Sequence, residues 1–232
     1  MSSRFAALFA LAGVLALPAA ALAQAPAPPA SPDRITMLAI FKTVTFGEPS
    51  FVSGRFRNVN PADDVLTPYP NRALTLNAAV SPFTAFAPVA NDTTEQQGFY
   101  SFQVNPEVNT RYQVVASDPA IASEAKLIRV RFAIEFKAET TKPRRGREFD
   151  VTGTVKPVRP GAKVVIETRP ANGRRYRQAD RASVKADGTF TGSAKVRQDS
   201  ELRARVLGDK QNLPSLSRKL IELDVRGRDS GD

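Results

Sequence analysis

After the first thirty or so positions, short runs of alternating apolar and polar residues follow one another, with Gly, Pro, Asn and Asp between them. Alternation with a period of two sends one set of side chains to a core and the other to water, which marks half-buried β-strands. Phe99-Tyr100-Ser101-Phe102-Gln103-Val104 shows it, as does Lys219-Leu220-Ile221-Glu222-Leu223-Asp224-Val225. No amphipathic helix is legible beyond the N-terminal segment. The pattern predicts strands over 36–45, 50–57, 73–80, 84–90, 99–104, 111–117 and 125–132 in the first half. In the second half it predicts strands over 133–139, 148–156, 162–168, 174–180, 189–196, 201–207 and 218–225. Asn172-Gly173 and Asp187-Gly188 predict type I′ hairpin turns, where both central residues need positive φ.

The two halves repeat one another. Gly47 and Gly54 are seven residues apart, and so are Gly146 and Gly153. Gly98-Phe99-Tyr100-Ser101 matches Gly188-Thr189-Phe190-Thr191. Carried on without a gap, that match sets Asn109-Thr110-Arg111-Tyr112 opposite Asp199-Ser200-Glu201-Leu202. A unit of just under a hundred residues with about seven short strands has the size and rhythm of an immunoglobulin-type sandwich. The expected organisation is a signal peptide at 1–23, a Pro/Ala-rich spacer at 24–34, sandwiches at 35–132 and 133–226, and a polar tail at 227–232. The junction, 125–138, holds neither Gly nor Pro, which predicts a stiff tandem rather than a free linker.

These positions resemble the tandem Ig-like repeats of secreted bacterial proteins. The shared skeleton is a Gly before the second strand, Ser-Gly or Thr-Gly within it, a Gly-x-Val-like third strand, Asp-Gly-x-Phe, and Asn-Thr-x-Tyr. Here it reads as Gly47, Ser53-Gly54, Gly98-Phe99-Tyr100 and Asn109-Thr110-Arg111-Tyr112 in the first unit. In the second it reads as Gly146, Thr152-Gly153, Gly161-Ala162-Lys163-Val164 and Asp187-Gly188-Thr189-Phe190. Leu202 and Gln97 depart from it, where Tyr and Asp are usual. The resemblance implies an all-β fold of two tandem Ig-like β-sandwich domains after a signal peptide. It implies no catalytic residues, because the family shares none.

The N-terminus predicts the compartment. Arg4, the apolar run 5–17 and the small-x-small Ala21-Leu22-Ala23 form a secretory signal cleaved after Ala23. Pro18 and the shortness of the run argue against a transmembrane helix, so no membrane anchor is expected in the mature chain. The chain has neither Cys nor His. That removes disulfides, lipidated cysteine, thiol nucleophiles, Ser-His triads and the usual zinc sets. No cofactor and no metal are expected. With the Ala, Arg, Val and Pro richness, the missing disulfide points to a bacterial source. Asn60, Asp63 and Asp64 offer oxygens to Ca²⁺ inside 58–71, a B–C connection ten residues longer than its counterpart. A solvated, Pro-stiffened loop is the preferred reading of it. Tyr112 is placed as a tyrosine corner, with a ligand-binding tyrosine as the alternative.

Charge separates the halves. Residues 35–132 carry eight basic and eight acidic side chains; residues 133–232 carry 23 and 14. Arg144, Arg145 and Arg147 precede the second strand of the second unit. Arg174, Arg175 and Arg177 follow Asn172-Gly173. Arg203 and Arg205 share one face of a strand. These eight are the candidate anion site, against the plainer reading of a solvated basic surface. Partners expected are an anionic cell-envelope polymer or another surface protein. Nucleic acid is not expected, for want of stacking aromatics and of access. The function expected is a non-enzymatic exported adhesion, spacer or binding module of the cell surface. The alternatives are a carboxylate-dependent, glycosidase-like hydrolase, or an accessory domain pair of an exported enzyme complex.

Overall fold

Strands β1 (Asp33–Ala39), β3 (Ser50–Val59), β4 (Leu66–Pro68) and β7 (Phe99–Val104) form one sheet, with β3 at its centre. Facing it is the sheet β2-β10-β8-β5-β6, built from β2 (Thr43–Thr45), β10 (Lys126–Arg131), β8 (Thr110–Ser117), β5 (Ala73–Val80) and β6 (Ala87–Thr93). The short β9 (Ala120–Ala122) extends β8. These coordinates come from a computed structural model that describes residues 33–59 and 65–226. The second half repeats the plan. One sheet is β11 (Ala133–Ala138), β12 (Glu148–Lys156) and β15 (Thr189–Lys195). The other is β14 (Arg177–Ser183), β13 (Lys163–Pro170), β16 (Ser200–Val206), β17 (Ser215–Leu216) and β18 (Ile221–Leu223). The fold is all-β, with no helix among the described residues and a sandwich in each half.

Alternation does the work in each. Along β8 the odd-register residues Thr110, Tyr112, Val114 and Ala116 are buried while Arg111 and Ser117 face water. Phe56, Val52, Leu74, Leu76, Val114 and Ile128 meet between the first two sheets. Val164, Phe190, Ala204 and Val206 meet between the second two. Each such side chain contributes about 1.5–3 kcal/mol on leaving water.

The repeated glycines occupy equivalent places. Gly54 lies opposite Met37 and Tyr100, and Gly153 opposite Phe136 and Phe190. Each leaves room for an aromatic ring from the next strand. Tyr100 Oη donates to Thr36 O at 2.6 Å across Gly54, and the Phe190 ring covers Gly153. Asn109 and Asp199 also match. The side-chain oxygen of each accepts a backbone N–H from the last strand, Val130 N at 2.9 Å and Val225 N at 2.8 Å. Ser123 and Ser217 match as well, each accepting from the sixth strand, Val114 N at 3.0 Å and Ala204 N at 3.2 Å.

Several expectations are corrected. The strand expected over 36–45 is two, because the chain crosses from one sheet to the other after Ala39; β1 pairs with β3 and β2 runs parallel to β10. The strand over 84–90 begins at Ala87, since a turn with Phe83 at φ 67° uses the preceding residues. The strand over 174–180 likewise begins at Arg177. The strand expected over 218–225 shortens to β18, and a further short strand, β17, precedes it on the other side of Ser217. Neither Asn-Gly nor Asp-Gly turn is type I′. Gly173 N closes a turn on Pro170 O at 2.7 Å, and only Gly188 of the second pair has positive φ, 84°. That second turn links the two sheets rather than forming a hairpin. Ala73 corresponds to Lys163 rather than Ala162, so the B–C insertion is nine residues; Asn71, at φ 54°, takes the place of Gly161, at φ 85°. Part of that insertion is β4, paired with β3. At the junction Phe132 interrupts an otherwise extended 126–138.

Candidate anion-binding end of the second sandwich

One end of the second sandwich gathers three connections and the end of the last strand, tied in sequence by backbone hydrogen bonds. In the β11–β12 connection, Arg147 N donates to Arg144 O at 3.0 Å and Gly146 N to Val196 O at 2.7 Å. Gly146 sits at φ 67°, a left-handed value that glycine takes without strain. Arg145 N donates to Arg226 O at 3.2 Å and Arg226 N to Pro143 O at 3.0 Å. Ala171 N, in the β13–β14 turn, donates to Asp199 O at 2.8 Å, and Asp199 Oδ1 holds Val225 N. The rim therefore runs from Arg144 through Arg226 and Asp199 to the turn that carries Arg174 and Arg175.

Arg144, Arg145, Arg147, Arg174, Arg175, Arg177, Arg197 and Arg226 are all exposed here. Among the described residues none of them forms an ion pair. The repeat gives the measure of this charge. The positions equivalent to Thr45, Phe46, Glu48, Glu107 and Arg131 of the first unit are Arg144, Arg145, Arg147, Arg197 and Arg226 of the second. A set with two acids and one base has become five arginines. Arg197 and Arg226 lie outside the eight candidates: Arg197 comes to this rim in the β15–β16 connection, and Arg226 through the three-dimensional register of the last strand.

Arg203 and Arg205 lie elsewhere. They share a face of β16, as their spacing implied, but Glu167 of β13 stands between them. Arg203 Nε donates to Glu167 Oε2 at 2.7 Å and Arg205 Nε to Oε1 at 3.2 Å. Glu167 is 8% exposed, and a carboxylate so placed requires such partners. The Arg203 guanidinium also lies 3.6 Å from the centre of the Tyr176 ring, with Arg169 at 5.0 Å. Tyr176 Oη donates to Glu201 Oε2 at 2.6 Å, and Arg169 pairs with the same carboxylate.

That hydroxyl and then the Arg169 guanidinium hold the Glu201 carboxyl below its ordinary value. A carboxylate with a depressed folded-state pKa adds stability above its unfolded pKa and loses it as pH falls through the folded pKa. Tyr176→Phe is expected to raise the Glu201 pKa towards the usual range, read by NMR titration of its side-chain carboxyl carbon. An unmoved titration would remove Tyr176 from that role.

Tyr112 is 5% exposed, and burial pushes its hydroxyl up to about 12, opposed by a hydrogen bond with the Thr110 side chain. Its role is in the core. The tyrosine that ties upstream backbone is Tyr100. Asn60, Asp63 and Asp64 lie outside the described residues, as do the expected signal peptide, most of the spacer and the tail. Among the described residues no group of Asp and Glu side chains converges as a metal site, and no helix is long and apolar enough to cross a membrane.

No family model matches the chain, and no curated protein matches its sequence. Among solved structures it is similar to a tetra-tandem repeat in the extending region of a large adhesion protein, at 16% identity and a TM-score of 0.34, over 84% of this chain and 50% of that one. It is similar to red sea bream transglutaminase at 12% identity and a TM-score of 0.37, over 83% of this chain and 31% of that one. A marsupial T cell receptor gives 5% identity and a TM-score of 0.34, over 86% and 75%. The chain thus spans half the length of the adhesion-protein repeat and less than a third of the transglutaminase. Likenesses of this degree carry no argument about activity or partners.

Proposed function

We propose that this chain is a non-catalytic module exported by a bacterium, a pair of Ig-like units that contacts an anionic polymer of the cell envelope through the distal end of the second unit. The observation that carries the reading is the replacement, position for position, of the mixed end of the first sandwich by arginines at the same end of the second. A basic excess spread for solubility has no reason to concentrate there. Arginine in particular offers a planar fork that matches phosphate and carboxylate oxygens in pairs. Exposed cations repeated along one rim suit a polymer with repeated charges better than one small anion. Glu167, the buried acid, and Glu201 are both paired with arginines, and Glu201 is held below its ordinary value, unlike the raised carboxyl of a general acid.

The test is retention of the full mature chain on immobilised teichoic acid, lipopolysaccharide and heparin at low and high salt. Exposed charges act over about 8 Å at physiological ionic strength, so binding through them falls steeply as salt rises. Retention that ignores salt, or none on any of the three, overturns the reading. Export itself is read by N-terminal sequencing of the secreted protein. It should begin at Gln24, and a chain that keeps Met1 defeats the expected cleavage.

A further inference from the structure

Pro32–Asp232 forms one compact unit, and what joins its two sandwiches is a loop that only the second of them has. From Asn109 to Ser123 the chain takes 14 steps; between their counterparts Asp199 and Ser217 it takes 18. The four additional residues fall in the β16–β17 connection, 207–214, where the first unit has only a tight turn between β8 and β9.

Internal hydrogen bonds shape this loop. Asp209 Oδ1 accepts from Gln211 N at 2.7 Å and Asn212 N at 2.6 Å, and Asp209 N donates to Asn212 O at 2.9 Å. Its polar groups then engage the end of the first sandwich. Asn109 N donates to Gln211 O at 2.8 Å, and Ser81 Oγ to Lys210 O at 3.1 Å. Asn212 Nδ2 donates to Glu107 O at 2.9 Å, and Leu213 N to Val130 O at 2.8 Å. Asn212 is wholly buried by the contact. Outside the loop, Arg218 pairs with Glu48. Bonds run in both directions and reach separate segments of the first unit, so the two bodies cannot slide or rotate without breaking several.

We infer that 207–214 is a dedicated joint, a loop of the second sandwich that plugs the end of the first, makes the pair move as one body, and is used once. The single use follows from the other end. Where the first unit offers Ser81 and Glu48 to the loop and to Arg218, the second has Ala171, without a hydroxyl, and Arg147, of opposite charge. A second such loop would meet the equivalent backbone groups there, but without the hydroxyl of Ser81, and its arginine would face Arg147 in place of Glu48. The chain is therefore a strut of fixed geometry and not a segment of an extendable array. This stands whether or not the distal end binds a polymer.

The chain has no cysteine, so spin labels can be placed cleanly at Ser101→Cys and Thr191→Cys, exposed residues of β7 and β15. Electron-spin distance measurement on the full chain is expected to give one narrow distribution, at least doubled in width by Asn212→Ala. Because Asn212 is buried, a second variant acts from outside the loop. Ser81→Ala with Arg218→Ala is expected to broaden the distribution by a smaller factor, with the circular dichroism of the parent. A broad distribution in the parent overturns the joint, and so does a width unchanged in both variants. The full chain is expected to sediment as a monomer; head-to-tail oligomers would overturn its single use.

Discussion

Gly153→Ala is expected to destabilise the second sandwich by about 4 kcal/mol, while Gly146→Ala, seven residues away, loses only about 1–2 kcal/mol. Both glycines belong to the repeated skeleton, but for different physical reasons. A Cβ on Gly153 would collide with the carbonyl oxygen of Glu135 and come within 2.6 Å of Cε1 and Cζ of Phe190. The carbonyl belongs to β11, fixed by its ladder with β12, and Phe190 is fully buried, so neither can yield without breaking strand pairing or opening the core. Gly146 has nothing within 4 Å of where a Cβ would stand; its only demand is a φ of 67°. Gly54 and Gly47 form the same contrast in the first unit. A Cβ on Gly54 would strike Thr36 O and approach Tyr100 Oη to 2.6 Å, whereas Gly47 faces open space at φ 86°. Denaturant unfolding checks both pairs. Equal midpoint shifts for Gly153→Ala and Gly146→Ala would show that close packing across the central strand is not what requires glycine.

Much of this architecture was legible from residue order. Period-two alternation located most strands: 73–80 and 148–156 coincide with β5 and β12, which lie inside their sheets with neighbours on both sides, and 99–104 with β7, whose alternation is strict. Edges and crossings were harder to read. The first strand changes sheet at Ile40-Phe41, where both side chains are exposed and the apolar run gives no sign of a break. The last strand of each unit breaks at a buried serine, Ser123 or Ser217, whose hydroxyl completes a ladder bond. Asn-Gly and Asp-Gly were assigned to hairpins on local preference alone, but whether a turn joins paired strands depends on which sheet receives the next strand.

The candidate site was legible in its charges and not in its geometry. Spacing put Arg203 and Arg205 on one face correctly, yet the residue that occupies them, Glu167, is 36 and 38 positions away on a neighbouring strand. Cross-strand partners follow from register, which a single sequence leaves open. The five arginines of the two loops, with Arg177 at the start of β14, come to one end because the first-to-second and third-to-fourth connections of this sheet order lie on the same side of the sandwich. Arg226 joins them only because the last strand runs back to that side.

Replacing Arg144, Arg145, Arg147, Arg174 and Arg175 together by alanine is accordingly expected to weaken retention on an anionic polymer about a thousandfold at low salt. A basic side chain near an anionic surface contributes about 1 kcal/mol. Five of them amount to more than three decades, at one decade per 1.36 kcal/mol. The salt dependence should flatten as well, because fewer counterions are released when fewer cations engage. All five side chains are exposed and unpaired among the described residues, so the variant should unfold at the same denaturant concentration as the parent. The control removes three cations of the first unit, Lys42, Arg57 and Arg129, which lie away from the rim. It should lose less than tenfold. Arg203→Ala is a different experiment, since it strips a partner from the buried Glu167 and acts first on stability. Titration of each variant on the same polymer over a range of salt separates these outcomes. Losses that are equal per charge removed in the rim set and the first-unit set would mean that net charge alone drives the contact, and the distal end would have no special part in it.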